Sequence, residues 1–210
     1  MDTSLEHTFQ RQVHQASADD APAPTVHIST MTWVAQWERA PPNLQTILET
    51  DTAYFKRSTF CSTAFEFHTQ SAIRCRIYPS SHKVVVTGCR TEHQCIETLD
   101  RLQQAFGGCD WIDRRCHLIN INIDLPWTLN RYTAASLETR DGVRLVEVTE
   151  GRPATIVHID TGSRIKKALV YQSSGKVSLH TSSWKESIAL WNVLWPALHQ
   201  CRGITKTPKS

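Results

Sequence analysis

The sequence predicts an α+β protein made of two similar halves, each an antiparallel sheet backed by helices. The segment RIYPSSHKVVVTG at 76–88 reads nearly the same as LVYQSSGKVSLHT at 169–181. Each copy follows short segments of alternating hydrophobicity, which are typical of strands. Each copy also precedes an amphipathic helix, and the apolar positions of the two helices match at an offset of 92 residues. A repeated order of elements at one period indicates an internal duplication.

The first half contains a strand, a short helix, a strand pair, a further strand and a longer helix. The segments are TVHISTMTWV, NLQTILET, STFCSTAFEFH with IRCRIYP, KVVVTG and TEHQCIETLDRLQQAF. Gly107 and Gly108 end the helix, because glycine accepts the left-handed conformation in which helices commonly stop.

The second half repeats this order. Its strands are predicted in RCHLININIDLPW, VRLVEV, ATIVHID, RIKKALVYQ and KVSLHT, and its helices in TLNRYTAASLE and SWKESIALWNVLWPALHQC. In the last helix, Ile188, Trp191, Leu194 and Leu198 match Ile96, Leu99, Leu102 and Phe106 of the first half. We expect Trp191 and Trp195 to pack in the core or to form part of a protein-docking surface.

The ends of the chain differ in composition from the two halves. Residues 1–24 are polar and end in alternating proline, which predicts a disordered N-terminal tail. Repeat one is placed at 25–108 and repeat two at 109–202. Residues 203–210 are interpreted as a short basic tail.

The composition is ordinary for a globular protein, with 40% hydrophobic and 20% charged residues among 210. The net charge of +3 is compatible with a polyanionic partner without requiring one. Seven cysteines without framework spacing, and no export signal, favour reduced thiols inside the cell. No apolar segment approaches the length of a membrane span, so we expect no membrane partner.

Motifs for metal binding and catalysis are weak. The segment CDWIDRRCH carries Cys109, Cys116 and His117 but lacks the Cys-x-x-Cys pairs of structural zinc sites. The DTGS string at 160–163 falls in a predicted turn and has no second carboxylate at a catalytic spacing. We therefore expect a protein that is not an enzyme and that needs no metal or cofactor.

From about Pro24 to Arg202, the sequence resembles the TATA-box-binding protein (TBP) family. Members of this family carry, in each repeat, an aromatic-x-Ser-Gly-Lys hairpin turn, a Val-x-x-Thr-Gly strand and a long helix. The matching turns here are YPSSHK and YQSSGK, both one residue longer than the family form. The resemblance implies a saddle-shaped curved antiparallel sheet with helices on its convex side. The divergence suits a member from a large DNA virus or a protist.

The resemblance also implies a function. Such a protein binds double-stranded DNA in an A·T-rich minor groove, bends promoter DNA, and recruits general transcription factors and the RNA polymerase machinery. We would then expect it inside the cell, in the nucleus or a viral replication compartment. Family members also self-associate through the concave face when DNA is absent, so a homodimer is compatible with the resemblance.

Wedge residues that unstack bases are expected at four matching positions. Phe60 and Tyr78 occupy those of repeat one, and Tyr171 occupies one of repeat two. Arg152 stands at the fourth position, where it would enter a narrow groove or hold a phosphate instead of unstacking bases.

The floor of the DNA-binding surface is carried over in the same way. Asn120, with Asn122 on the same strand face, matches the asparagine that the family places at the groove centre, and His27 is its match in repeat one. Val85 and Thr87 match the family's floor in repeat one, and Ser178 and His180 replace them in repeat two.

Phosphate contacts are expected at the edge of that surface. Lys83 and Lys176 follow the two turns, and Arg90 continues the edge in repeat one, where repeat two has Ser183. The family's strand arginine is matched by Glu66 in repeat one and by His158 in repeat two. A carboxylate facing phosphates is unfavourable.

These replacements predict a weaker or altered preference for TATA-like DNA. They also leave open an alternative, in which the fold is a protein-interaction scaffold that has lost DNA binding.

Overall fold

The computed structural model of the chain describes residues 3–15, 22–42, 44–59, 61–67, 72–129, 137, 141–147, 154–160, 162 and 164–206. The helices of the described residues are α1 Thr3–Gln15, α2 Leu44–Thr50, α3 Glu92–Ala105 and α4 Trp184–Gln200. The strands are β1 Thr25–Trp37, β2 Phe55–Arg57, β3 Phe65–Phe67, β4 Arg74–Tyr78, β5 Lys83–Cys89, β6 Trp111–Asp124, β7 Trp127–Leu129, β8 Val143–Glu147, β9 Ala154–Asp160, β10 Ile165–Tyr171, β11 Lys176–Thr181 and β12 Arg202–Thr205.

The chain divides into two compact units. The first unit is Ile28–Ile119, and the second unit is Met1–His27 together with Asn120–Ser210. In the first unit, strands lie in the order β2-β3-β4-β5-β1; in the second, the order is β8-β9-β10-β11-β6. The registers resolved within each order are antiparallel. The two orders are equivalent strand for strand, which confirms the predicted α+β class and the repeated order of elements.

One face of each sheet carries the core. In β1, Met31, Trp33, Ala35 and Trp37 are buried, whereas the residues between them are half-buried. In the first unit, Trp37 stacks on Trp111 with ring centroids 4.8 Å apart. Since side chains alternate along a strand, the residues between the buried ones point to the opposite side of the sheet. We call that side the open face of each unit.

The two long helices begin in the same way. The side chains of Thr91 and Ser183 cap α3 and α4 by accepting hydrogen bonds, both 3.2 Å long, from the backbone N–H groups of Gln94 and Glu186. Such caps stabilise a helix by about 1 kcal/mol. Their offset of 92 residues is the one that the sequence predicted, and the matched positions share the same burial. The buried members are Leu99, Leu102 and Phe106 of the first unit, and Trp191, Leu194 and Leu198 of the second.

The hairpin turns that carry the repeated motif also correspond. His82 in the first unit and Gly175 in the second both have positive φ, at 53° and 60°. A Cβ on Gly175 would lie 1.9 Å from the backbone oxygen of Trp127, so only glycine fits there. His82 adopts this conformation with a half-buried side chain, and its carbonyl accepts a 3.1 Å hydrogen bond from the Trp37 N–H.

The N-terminal segment corrects the prediction of a disordered tail over residues 1–24. Residues Thr3–Gln15 form helix α1, in which Phe9 and Val13 are fully buried. Their four-residue spacing places them on one helix face, and Phe9 packs on Trp184 of α4 with ring centroids 5.9 Å apart. Contact with α4 therefore gives this polar segment an apolar surface to cover.

The C-terminal tail is corrected in the same way. Strand β12 includes residues 203–205 and pairs with β7, with Arg202 opposite Leu129 and Thr205 opposite Trp127. Strand β7 lies where the sequence predicted the start of a helix at 128–138; residues 130–136 and 138 lie outside the described residues. The strand predicted across 58–68 is shorter, because residues 62–63 form a turn before β3.

Candidate nucleic-acid interface

Both units place a tyrosine and a lysine opposite each other on the open face. Tyr78 pairs with Lys83 across β4 and β5, and Tyr171 pairs with Lys176 across β10 and β11. Both tyrosines are half-buried and lie beside buried neighbours that face the core, Ile77 and Val170. The predicted alternation is therefore correct, and each hairpin ends in an aromatic ring next to a cation.

The floor of the first unit is formed by pairs across β1 and β5. Thr32 lies opposite Thr87, and Val34 lies opposite Val85. All four residues are half-buried. The hydroxyl groups and methyl groups of this floor give it a mixed surface with little formal charge.

Three cations line the strands beside that floor. Arg74 and Arg76 lie opposite Thr87 and Val85 across β4 and β5, and Lys56 lies opposite Glu66 across β2 and β3. The sequence analysis missed all three. The signal for the two arginines was the alternation Arg74, Arg76, Tyr78, in which they share the face of the predicted wedge.

Glu66 is held within this cationic group. Its Oε2 lies 3.8 Å from Lys56 Nζ, its Oε1 lies 3.6 Å from Arg76 Nε, and its Oε1 accepts a 2.9 Å hydrogen bond from the Ser58 hydroxyl. The Ser58 hydrogen bond, with the charges of Lys56 and Arg76, holds the pKa of Glu66 below its ordinary value against the opposing effect of burial. The carboxylate is thus balanced by two cations on the same face.

The floor of the second unit is a polar ladder. Ser178 Oγ donates a 2.7 Å hydrogen bond to Asn122 Oδ1, and His180 Nδ1 lies 2.7 Å from Asn120 Oδ1. These four residues, which we call the polar ladder, occupy the positions of Val85, Val34, Thr87 and Thr32 in the first unit.

This geometry corrects one predicted equivalence. His180 matches Thr87 along the repeat, and Thr87 lies opposite Thr32, so the counterpart of Asn120 is Thr32 and not His27. His27 is exposed and its Nε2 lies 3.4 Å from a carboxylate oxygen of Asp124. The structure brings together the four residues of the polar ladder. It places His27 beside Asp124 instead.

A second equivalence shifts by two residues. Arg76 pairs with Glu66, and its repeat-two counterpart Leu169 pairs with Ile156. Ile156 is therefore the match of Glu66, where the sequence analysis chose His158. His158 lies opposite Lys167, and its Nε2 lies 2.6 Å from Glu147 Oε1.

The open faces of the two units differ in charge. Lys56, Arg74, Arg76 and Lys83 outnumber the one carboxylate, Glu66, on the strands of the first unit just described. In the second unit, three cations are matched by three carboxylates: Arg144, Lys167 and Lys176 against Asp124, Asp160 and Glu147. Asp160, the first residue of the DTGS string, accepts hydrogen bonds from the Arg144 guanidinium and from the Gly162 N–H. The first unit thus offers the stronger attraction for an anion.

The remaining predicted residues lie elsewhere or outside the described ranges. Phe60 and Arg152 are outside the described residues. Arg90 is exposed just before α3, and its backbone N–H donates to Gln94. Ser183 is the cap of α4.

Trp191 is buried, and its ring lies 5.1 Å from that of the half-buried Trp195. Within the described ranges, no group of three or more His, Cys, Asp or Glu side chains is arranged to hold a metal ion. Of the helices that the structure describes, none is long and apolar enough to cross a bilayer.

Of the comparisons with known proteins, the one with solved structures bears on the fold. No protein-family model matches the sequence, and no curated protein matches it significantly. Among solved structures, TBP of Methanococcus jannaschii is similar with a TM-score of 0.63 at 13% identity, covering 83% of this chain and 98% of that one. A heterotetrameric sarcosine oxidase from Corynebacterium sp. U-96 reaches a TM-score of only 0.35 at 10% identity, covering 97% of both chains, which is too low to bear on the fold. The chain has a TBP-like fold.

Proposed function

We propose that this protein binds double-stranded DNA in an A·T-rich minor groove through its open faces and acts in transcription initiation. The observation that carries the proposal is the equivalent Tyr–Lys pair of each unit, Tyr78 with Lys83 and Tyr171 with Lys176, in a chain with a TBP-like fold. A protein that enters the minor groove needs apolar wedges to open base steps and cations to hold the phosphates beside them. Each hairpin supplies one wedge and one cation.

The two tyrosines act as wedges. Each is half-buried at the end of its strand, with a core residue next to it that holds the backbone in place. Unstacking a base step costs a few kcal/mol, which contacts with the opened groove offset. The aromatic ring provides this contact, and the phenol hydroxyl is not required for it.

The cations of the first unit supply most of the phosphate contacts. Lys56, Arg76 and Lys83 lie on that open face, with Glu66 held between the first two. Each phosphate neutralised releases condensed counterions, so the logarithm of the association constant falls with the logarithm of salt concentration by about 0.9 per contact. Glu66 does not repel DNA as an isolated carboxylate would, because its charge is already balanced.

The role in transcription rests on the likeness of fold to TBP of Methanococcus jannaschii. In this role the helices opposite the open faces contact general transcription factors and the RNA polymerase machinery. The protein then acts inside the cell, in the nucleus where the cell has one.

Fluorescence anisotropy tests the proposal. Purified protein is titrated against a TATA-containing duplex and a G·C-rich duplex at several salt concentrations. We expect tighter binding to the A·T-rich duplex, and we expect Tyr78→Ala and Tyr171→Ala each to weaken it about tenfold or more, as loss of a stacking aromatic does. Tyr78→Phe and Tyr171→Phe are the matched controls and retain binding.

Two results would contradict the proposal. One is no binding to either duplex by folded protein. The other is equal, salt-sensitive binding to both duplexes that the alanine substitutions leave unchanged. The first result would favour a protein-interaction scaffold, and the second would show unspecific attraction of DNA without wedges.

A further inference from the structure

We infer that the polar ladder of the second unit recognises a G·C pair through the minor-groove amino group of guanine, so that the DNA site is A·T-rich in one half and accepts a G·C pair in the other. This inference rests on the proposed DNA binding and adds a specificity to it. It is carried by the hydrogen bonds among Asn120, Asn122, Ser178 and His180.

The hydrogen bonds of the ladder fix the role of the imidazole. Asn120 Oδ1 is a carbonyl oxygen and only accepts hydrogen bonds. With the carbonyl oxygen of Asn120 facing the ring, His180 Nδ1, 2.7 Å away, carries the hydrogen and donates it. In a neutral imidazole the other nitrogen, Nε2, is then an acceptor. His180 is exposed on the open face, so this acceptor is available to a ligand there.

The chemistry of the minor groove determines which base pair suits such an acceptor. Both A·T and T·A present only acceptors, adenine N3 and thymine O2, and G·C adds one donor, the guanine N2 amino group. An acceptor placed against an A·T pair faces another acceptor and leaves both without a partner. Placed against G·C, His180 Nε2 accepts a hydrogen bond from the amino group.

The first unit lacks this device at the matching positions. Thr87 stands where His180 does, and Val85 stands where Ser178 does. A threonine hydroxyl both donates and accepts, so it suits the acceptors of A·T. Val85 and Val34 lie opposite each other as an apolar pair, against which a protruding guanine amino group would have no hydrogen-bond partner. His180 therefore gives the second unit an acceptor that the first unit lacks at the matching position.

The experiment isolates the contribution of the guanine N2 amino group to binding by comparing G·C with I·C pairs. Inosine lacks the guanine N2 amino group, so an I·C pair presents an A·T-like minor groove while keeping the major-groove edge of G·C. A single G·C pair is moved stepwise through an A·T-rich 16-base-pair duplex, and each duplex is also made with I·C. Binding is measured by anisotropy at pH 8.

We expect one or two adjacent positions in one half of the duplex at which G·C binds about fivefold more tightly than I·C, as one added hydrogen bond gives. His180→Thr installs the residue of the first unit and should abolish this difference or reverse it. Ser178→Val/His180→Thr should extend the A·T preference to both halves. Thermal melting confirms that each variant is folded, and Lys185→Ala, on α4, is the matched surface control.

Binding in which I·C equals or exceeds G·C at every position would overturn the inference while leaving the proposed function intact. A G·C preference that His180→Thr leaves unchanged would also overturn it. Absence of binding to all duplexes, A·T-rich included, would overturn the inference and the proposed function together.

Discussion

Glu66 and Arg76 face each other across β3 and β4, with the carboxylate Oε1 3.6 Å from the guanidinium Nε. Lys56 reaches the other carboxylate oxygen from β2, at 3.8 Å. A side chain that by itself opposes DNA binding thus holds two cations in place on the open face. We expect Glu66 to weaken DNA binding and to stabilise the fold.

Glu66→Gln should tighten DNA binding. The substitution removes one negative charge from the open face and releases Lys56 and Arg76 from the carboxylate, which strengthens their attraction for phosphates. We expect an increase of about fivefold at 50 mM salt, corresponding to ~1 kcal/mol of surface charge interaction. Anisotropy titrations of the two proteins measure it. A matched control is Glu38→Gln, an exposed carboxylate just after β1. An unchanged or weaker affinity of Glu66→Gln would show that Glu66 does not face the DNA.

The same variant should change the pH dependence of stability. The pKa of Glu66 lies below its ordinary value of 4.5. A carboxyl group with a lowered folded-state pKa stabilises the fold above its unfolded-state pKa, and the stabilisation is lost as pH falls through the folded-state value. Wild type should therefore exceed Glu66→Gln in free energy of unfolding at pH 7, and the difference should be smaller at pH 3. Urea unfolding at both pH values measures it; a difference that grows on acidification would contradict the assignment.

Gly175→Ala should destabilise the second unit strongly. Its Cβ would lie 1.9 Å from the Trp127 carbonyl oxygen, and its φ of +60° is unfavourable for an L-residue. Together these cost about 3 kcal/mol or more. Gly108→Ala is the matched control, because φ is +89° there and no atom lies within 4 Å of the added Cβ. Chemical denaturation of both variants separates the collision from the backbone strain, and equal losses would argue against the close approach at Trp127.

Local sequence patterns predicted those elements whose signals are complete within one segment. For helices α3 and α4, the periodicity of the apolar residues and the capping residues, Thr91 and Ser183, are local features of the sequence. Strand pairs around the two hairpins were predicted because turn residues and alternation occur together. Helix α1 and strand β12 were missed, since each is stabilised by a distant partner, α4 for one and β7 for the other.

The candidate site was predicted in part for a related reason. Tyr78, Tyr171 and their lysines belong to the repeated motif, so the sequence placed them correctly on the open faces. Cross-strand register was harder. Moving a match by two residues, from Ile156 to His158, keeps the same face of the strand, and alternation cannot detect it. The ion pairs of Glu66 likewise depend on pairing between separate strands.

Phe9→Ala should measure how firmly α1 is held on the second unit. Phe9 is fully buried against Trp184, so truncation removes a buried aromatic and leaves a cavity. We expect a loss of about 3–5 kcal/mol in the free energy of unfolding. His14→Ala, an exposed position on the same helix, should change it by less than about 0.5 kcal/mol. If the two variants unfold at the same urea concentration, α1 contributes nothing to the fold.

The two hairpin lysines should carry equal and separable shares of the salt dependence. Lys83 and Lys176 lie opposite the equivalent tyrosines, so each is positioned to neutralise one phosphate beside its wedge. Replacing either with alanine should make the slope of log association constant against log salt less steep by about 0.9, and replacing both by about twice that. Lys185→Ala, on the helix side of the second unit, should leave the slope unchanged. A slope that responds to Lys185 as strongly as to Lys83 would place the DNA on the helices instead of the open faces.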